Sequence, residues 1–170
     1  NVMEVPKTYT HAWVNRLESD MLTIRGEGIP IVPSFSNSAG TGFEGHEFFE
    51  AASIRKVEGR YCFIWSSYYG HELCYALAER PEGPFRFGGT IISNGDIGLF
   101  GIADENNCNG YIGNNHGSVE KIGGRWYVFY HRHTNGNSFS RRACAERIEV
   151  EKDGKIPQVE HILDLDRLAD

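Results

Sequence analysis

Three carboxylates lie close together in an aromatic segment that runs from residue 42 to residue 53. Glu50 stands between a phenylalanine and two alanines, and Glu44 and Glu47 precede it. An apolar setting disfavours the ionised carboxylate, so we expect Glu50 to hold a proton near neutral pH, as a general acid must. The structural alternatives are a charged hydrogen bond at a strand end for Glu50 and a solvated loop for the other two. We take Glu50 as the candidate catalytic acid.

Two histidines alternate in the run His131-Arg132-His133. On a β-strand this spacing places both imidazoles on one face, as a zinc site requires. No third ligand accompanies them in the sequence, so the favoured interpretation is a histidine pair at a strand end.

An internal repeat with an offset of 65 supplies the elements that position these residues. Residues 53–65 align with residues 118–130, and serine, lysine, glycine and arginine match in place. Each copy contains a strand, a two-residue Glu-Gly or Gly-Gly turn and an aromatic-rich strand, which is typical of a β-hairpin. Third strands are predicted at 72–77 and 142–147, and fourth strands at 85–92 and 155–160. Four strands per repeat indicate β-propeller blades.

The predicted fold is therefore all-β, with about two and a half four-stranded blades. Strands at 11–17 and 24–32 would close a preceding blade within residues 1–34. Residues 35–100 would form the blade that carries Glu50, residues 101–160 the last blade, and residues 161–170 a tail in which 162–168 could form a short helix. Because propellers close with roughly four to eight blades, we expect the chain to be the C-terminal part of a larger protein.

Composition narrows the function classes. The chain has 170 residues, of which 20 are glycine, and a formal net charge of −6. An acidic chain without a basic cluster is a poor nucleic-acid binder, and no apolar run approaches the ~20 residues that span a bilayer. The four cysteines are scattered without a C-x-x-C pair. We expect at least three of them, Cys62, Cys74 and Cys144, to be structural because they lie in strand-like apolar runs, with a disulfide between neighbouring strands as the alternative.

Two long motifs and one connector in this chain are similar to those of a known family. Residues 49–61, F-E-A-A-S-I-R-K-V-E-G-R-Y, match the segment E-(A/G)-P-x-(I/L)-x-K-x-x-G-x-Y, with Ala52 in place of the usual proline. Residues 114–131 match the later motif N-N-H-x-S-(I/V)-x-x-x-x-G-(K/R)-W-Y-x-F-Y-H. Residues 79–85 match the connector P-x-G-P-(F/W). With these motifs the chain resembles glycoside hydrolase family 43, and the resemblance implies a five-bladed propeller.

It also implies an inverting glycosidase that acts on xylose- or arabinose-containing glycans of the xylan, arabinoxylan or arabinan type. Glu50 would be its general acid, whereas the base and a pKa-tuning Asp belong to motifs that this chain lacks. The chain alone should therefore be inactive. The alternatives are a non-catalytic carbohydrate-binding propeller and an inactive truncated fragment that associates through its open blade edges.

The resemblance assigns further residues to the propeller hub. His116 matches a histidine that binds or orients water around a calcium ion, and Asn114 and Asn115 precede it. Arg141 matches an arginine that faces the sugar. Among the aromatic residues, Tyr68 and Tyr69 lie in a predicted loop and could stack on a pyranose ring, whereas Trp65 and Trp126 are expected in the blade core. Arg141, Tyr68 and Asn115 are the predicted substrate-binding residues.

Overall fold

The computed structural model describes residues 10–108, 112–113, 115–134 and 137–160. Its strands are β1 (His11–Leu17), β2 (Ile24–Pro33), β3 (Phe48–Val57), β4 (Arg60–Ser67), β5 (Leu73–Ala78), β6 (Arg86–Ile92), β7 (Gly117–Ile122), β8 (Arg125–Thr134) and β9 (Asn137–Ile148). A single 3-10 turn, Phe35–Asn37, precedes β3 in the described part of the chain. None of the described helical residues forms a segment long and apolar enough to cross a membrane.

The strands form three antiparallel sheets with the orders β1-β2, β3-β4-β5-β6 and β7-β8-β9. The predicted all-β class, built from propeller blades, is confirmed. The two hairpins of the repeat also form as predicted. Glu58 and Gly59 have φ values of 44° and 86°, and Gly123 and Gly124 have 57° and 80°. Two consecutive left-handed residues are what a type I′ turn requires.

The first strands of the two repeats lie side by side. The hydroxyl oxygens of Ser53 in β3 and Ser118 in β7 are 2.8 Å apart, and these residues occupy equivalent positions of the repeat. At the other end of these strands, Lys121 of β7 donates a hydrogen bond to Glu58, in the turn after β3, over 2.9 Å. Equivalent strands of neighbouring blades therefore run in the same direction, so the side chains that begin β3 and β7 meet at one end.

The four-stranded sheet is buried on both faces. In β4, Cys62 and Ile64 pack into a cluster shared with β7, β8 and β9. Phe63 and Trp65 alternate with them and pack into a second cluster shared with β1 and β2. Successive side chains of a strand point to opposite faces, which explains why the central strand is a continuous apolar run. The core thus lies between the sheets, and Trp65 belongs to it as predicted.

The predicted fourth strand at residues 155–160 is wrong. Its residues contain no strand, and Val159 instead makes an isolated parallel bridge with Ile92 of β6. Pro157 interrupts the segment and has no N–H to donate to a ladder. Ile156 is 3% exposed and donates its backbone N–H to the Tyr75 hydroxyl of the neighbouring sheet. The segment therefore ties two blades together rather than completing one.

All four cysteines are free, so the interstrand disulfide considered as an alternative does not form. The helix considered at 162–168 lies outside the described residues. The segment boundaries at residues 34, 100 and 160 stay a prediction.

Candidate active site

One edge of the sheets collects the predicted site residues. Antiparallel pairing brings the start of β3 to the end of β4 and the start of β5 to the end of β6. The β4–β5 turn, the segment after β6 and the segment before β7 therefore all open at this edge. Side chains in turns and at strand ends are held in place by the sheet but still reach solvent. Binding and catalytic residues are often found at such positions.

Glu50 lies in β3 at an irregularity of the ladder. Glu50 pairs with Ser66 and Ser53 pairs with Ile64, so β3 holds one residue more than β4 between these pairs. Ala51 has a φ of 60° within this bulge. A bulge bends a strand and changes the direction of its side chains, and such irregularities occur beside functional sites. The bulge thus sets the orientation of Glu50.

Glu50 and His116 form a close pair across the two blades. Nε2 of His116 lies 2.7 Å from Oε1 of Glu50. The Glu50 side chain is 42% exposed and that of His116 is 32% exposed. Glu50 is thus less buried than its apolar sequence neighbours suggest, because side chains next to it on a strand point to the other face. The carboxyl can be reached from solvent while the imidazole holds it.

His71 joins this pair and was not identified from the sequence. Burial lowers the pKa of His71, while the nearby Glu50 opposes the shift and His116 supports it. His71 itself has a φ of 46°. The sequence signal that could have found it is topological: the β4–β5 turn must lie at the edge where β3 begins.

His131 and His133 lie in β8 near the same edge. The ring of His131 is 5.0 Å from that of His116. His133 pairs with Arg141 of β9, and burial together with the Arg141 charge lowers the pKa of His133. Arg141 is exposed. The predicted strand-end position of the histidine pair agrees with the structure, and Arg141 lies next to it.

Tyr68 lies in a row of aromatic rings. It stacks on Phe35 with ring centres 5.2 Å apart and contacts Phe49 edge-on at 5.9 Å. Phe49 in turn contacts the ring of His71 at 5.3 Å. The row therefore leads from the 3-10 turn to the histidine beside Glu50, and Tyr68 is half-buried within it.

Asn115 is placed differently from the prediction. Its side chain is 0% exposed, and its amide nitrogen donates to the backbone oxygen of Ile92 over 3.2 Å. A side chain without exposed surface cannot touch a sugar directly. Asn115 directly precedes His116 in the chain, so this hydrogen bond ties the segment that enters β7 to the end of β6. Asn114 lies outside the described residues.

The two other acids of the Glu50 segment have structural contacts. Glu47 is 3% exposed and accepts hydrogen bonds from the Ser38 hydroxyl and the Gly45 backbone, over 2.9 and 3.1 Å. Glu44 is exposed and accepts from the backbone of Gly40. Both residues stabilise the loop that leads into β3, so neither competes with Glu50 for a place beside His116.

The curated proteins that this chain is similar to include several that are named xylosidases or arabinosidases. No family model matches the chain. A protein from Thermoclostridium stercorarium named xylosidase/arabinosidase is 52% identical over 154 residues, which are 91% of this chain and 33% of that protein. The chain therefore spans about a third of the length of this curated relative.

Solved structures share the fold. A glycoside hydrolase family 43 enzyme of Xanthomonas citri in complex with xylose aligns with a TM-score of 0.66 and 22% identity, over 88% of this chain and 42% of that one. A family 43 β-xylosidase/α-arabinofuranosidase from a compost metagenome, in a calcium-free form with xylotriose, aligns with a TM-score of 0.66 and 24% identity. That alignment covers 93% of this chain and 46% of the other.

Proposed function

Because the chain belongs to glycoside hydrolase family 43, we propose that it is part of an inverting glycosidase that releases xylose or arabinose units from glycans, with Glu50 as general acid. The observation that carries the proposal is the contact of Glu50 with His116. These residues come from the two motifs that carry the resemblance, and their side chains lie 2.7 Å apart at the edge where the blades meet.

The proposed step is protonation of the leaving group. Glu50 transfers its proton to the glycosidic oxygen as the bond from that oxygen to the anomeric carbon breaks. A second carboxylate, about 6.5–9.5 Å away, takes a proton from the water that attacks the opposite face of the sugar. We propose that this base and the pKa-tuning Asp come from polypeptide outside this chain, because their motifs are not in its sequence.

The proposed role of His116 is to hold the Glu50 carboxyl in one orientation. A hydrogen bond to one oxygen leaves the other free for the glycosidic oxygen. Arg141, exposed on β9, is proposed to bind sugar hydroxyls, for which a planar guanidinium offers several donors. Tyr68 is proposed to pack on the sugar ring. Asn115 supports His116 rather than touching substrate.

We propose that a calcium ion at the hub would lie beside His116 and be reached through water. The ion prefers six to eight oxygen ligands, and water molecules can supply several of them. The described neighbours of His116 are the carboxylate of Glu50 and the imidazole rings of His71 and His131. Waters would therefore have to complete the shell of the ion, and no step of the mechanism is assigned to it.

The experiment compares wild type with Glu50→Gln and Glu44→Gln in the protein at its native length. Hydrolysis of xylo-oligosaccharides and of arabinosides is measured, and proton NMR follows the anomeric configuration of the first product. We expect inversion in wild type, a loss of about 10²–10⁴-fold in kcat for Glu50→Gln, and unchanged kinetics for Glu44→Gln. Wild-type rates in Glu50→Gln would contradict the proposal. Sugar binding without hydrolysis in wild type would favour the carbohydrate-binding alternative.

A further inference from the structure

Three potential metal ligands meet between the segment before β3 and the start of β5. Nδ1 of His46 lies 2.7 Å from Oε2 of Glu72. Sγ of Cys74 lies 3.8 Å from each of these two atoms. The three ligand atoms therefore lie within 4.8 Å of one another. This His46–Glu72–Cys74 cluster shares no residue with the proposed catalytic site.

The spacing of the cluster is close to that of a tetrahedral zinc site. Typical zinc–ligand distances place a sulfur and a nitrogen ligand about 3.6 Å apart, and a nitrogen and an oxygen ligand about 3.3 Å apart. The two distances from Sγ of Cys74, 3.8 Å each, already lie near the first of these values. The contact of His46 with Glu72 must open by about 0.6 Å, and the His46 side chain, 34% exposed, is the member with room to move. A metal bound here would therefore replace one hydrogen bond without rebuilding the sheet.

The types of the three donor atoms indicate which class of metal ion the cluster would favour. Thiolate and imidazole favour zinc and its neighbours among the transition metals, whereas calcium and magnesium favour oxygen ligands. Cys74 is fully buried and Glu72 is 5% exposed. Burial raises the pKa of the Cys74 thiol well above its ordinary value, so the sulfur carries a proton until a cation displaces it to solvent.

An open volume lies beside the cluster. A cavity of about 540 Å³ is lined by His46 and Glu72, together with Tyr69 and Glu105. Two of the ligands thus border solvent-accessible space while the third lies behind them. Catalytic zinc sites have three protein ligands and one open position that water can fill. The cluster offers the same arrangement.

Neighbouring residues hold the ligands in place. The His46 ring stacks on Phe87 with centres 4.6 Å apart and planes 17° apart, and its backbone oxygen accepts from the Trp65 indole over 3.0 Å. The backbone N–H of Glu72 donates to the Ser67 hydroxyl over 3.0 Å. Such outer contacts orient metal ligands and raise affinity.

We propose that the His46–Glu72–Cys74 cluster binds a divalent transition-metal ion of the zinc class, with water from the cavity in the fourth position. His46 binds through Nδ1, Glu72 through Oε2 and Cys74 through Sγ. The proposal does not rest on the glycosidase function and can hold or fail independently of it.

The test is a titration of the metal-stripped protein, at its native length, with Co²⁺ as a spectroscopic substitute for Zn²⁺. We expect one equivalent to produce a near-ultraviolet thiolate-to-cobalt charge-transfer band and visible bands with tetrahedral intensity, both removed by an equivalent of Zn²⁺. Absence of the charge-transfer band at Co²⁺ saturation in wild type overturns the proposal, whatever the variants do.

Two variants and one control assign the ligands. Cys74→Ser should abolish the charge-transfer band, and His46→Gln should weaken Zn²⁺ binding by more than about 100-fold, because even outer contacts of a site are worth 10–100-fold. Cys62→Ser is the matched control, since Cys62 is equally buried but packs on the opposite face of the sheet. Thermal unfolding of each metal-free variant shows that it folds. A band that persists in Cys74→Ser, or that disappears in Cys62→Ser, overturns the assignment.

Discussion

Nε2 of His116 and Oε1 of Glu50 lie 2.7 Å apart, although 66 positions separate the two residues in the chain. This separation along the chain is close to the offset of 65 residues in the internal repeat, because each residue lies at or just before the first strand of its own blade. The contact therefore joins two blades at the point where the proposed acid must be held. On this contact we propose His116 as a positioning residue for Glu50.

Removing the imidazole should loosen the acid without removing it. We expect His116→Ala to lower kcat by about 100-fold, the loss that a misplacement of roughly 1 Å can cause, with a smaller change in KM. Steady-state kinetics on a xyloside and an arabinoside measure the effect. His11→Ala, in the first sheet, is the control and should retain wild-type kcat. Equal kcat in wild type and His116→Ala would show that the contact has no catalytic role.

The fold could be predicted from the sequence because two copies of one pattern carry it. Gly59 and Gly124 mark the hairpin turns, and the alternation of Cys62, Phe63, Ile64 and Trp65 marks a strand buried on both faces. The last segment could not be predicted in the same way. Ile156 matches the apolar pattern of a strand, but its partner is Tyr75 of another blade, which local periodicity does not report.

The site was predictable only where a motif carried it. Glu50 and His116 stand in long motifs, so their types and positions indicated a role. His71 and the His46–Glu72–Cys74 cluster depend on which turns meet at one edge, and that follows from strand order rather than from spacing along the chain. The burial of Asn115 likewise depends on the end of β6, which lies 23 positions before it.

The left-handed conformation of Ala51 should be a source of strain. Its φ is 60°, a value that glycine adopts without steric cost. We expect Ala51→Gly to raise the free energy of unfolding by about 0.5–1 kcal/mol. Ala52→Gly, at the next position of the same strand, should lower it by about 0.5–1 kcal/mol. Urea denaturation of both variants measures the difference, and a loss of stability in Ala51→Gly would contradict the account of the bulge.

Gly117 should be required where β7 begins. A Cβ at this position would lie 2.2 Å from the backbone oxygen of Phe129 in β8. Gly117→Ala must therefore push the two strands apart, and we expect it to cost about 1–3 kcal/mol of unfolding free energy. Glu120→Gln, an exposed change on the same strand, is the control. Denaturation midpoints of the two variants that do not differ would show that the strands adjust freely.

Asp20 should make the β1–β2 turn sensitive to acid. Its carboxylate accepts hydrogen bonds from the side chain and backbone of Thr23 and from the backbone of Leu22, which lower its pKa from 3.8 to about 2. Because the folded state favours the carboxylate, the turn contributes its stability above pH 3.8 and loses it as the pH falls towards 2. Asp20→Asn should flatten the pH dependence of unfolding in this window. An unchanged slope would contradict the sign of the shift.

The role of Glu50 as the acid is tested most directly by the leaving-group dependence of Glu50→Gln. Values of kcat/KM are measured for a series of aryl xylosides whose phenols differ in acidity. A poor leaving group needs the proton and an activated one does not. We therefore predict a loss of about 10²–10⁴-fold for the least acidic phenols and near wild-type rates for the most acidic. An equal loss across the series, or no loss at all, would contradict the assignment of Glu50 as the proton donor.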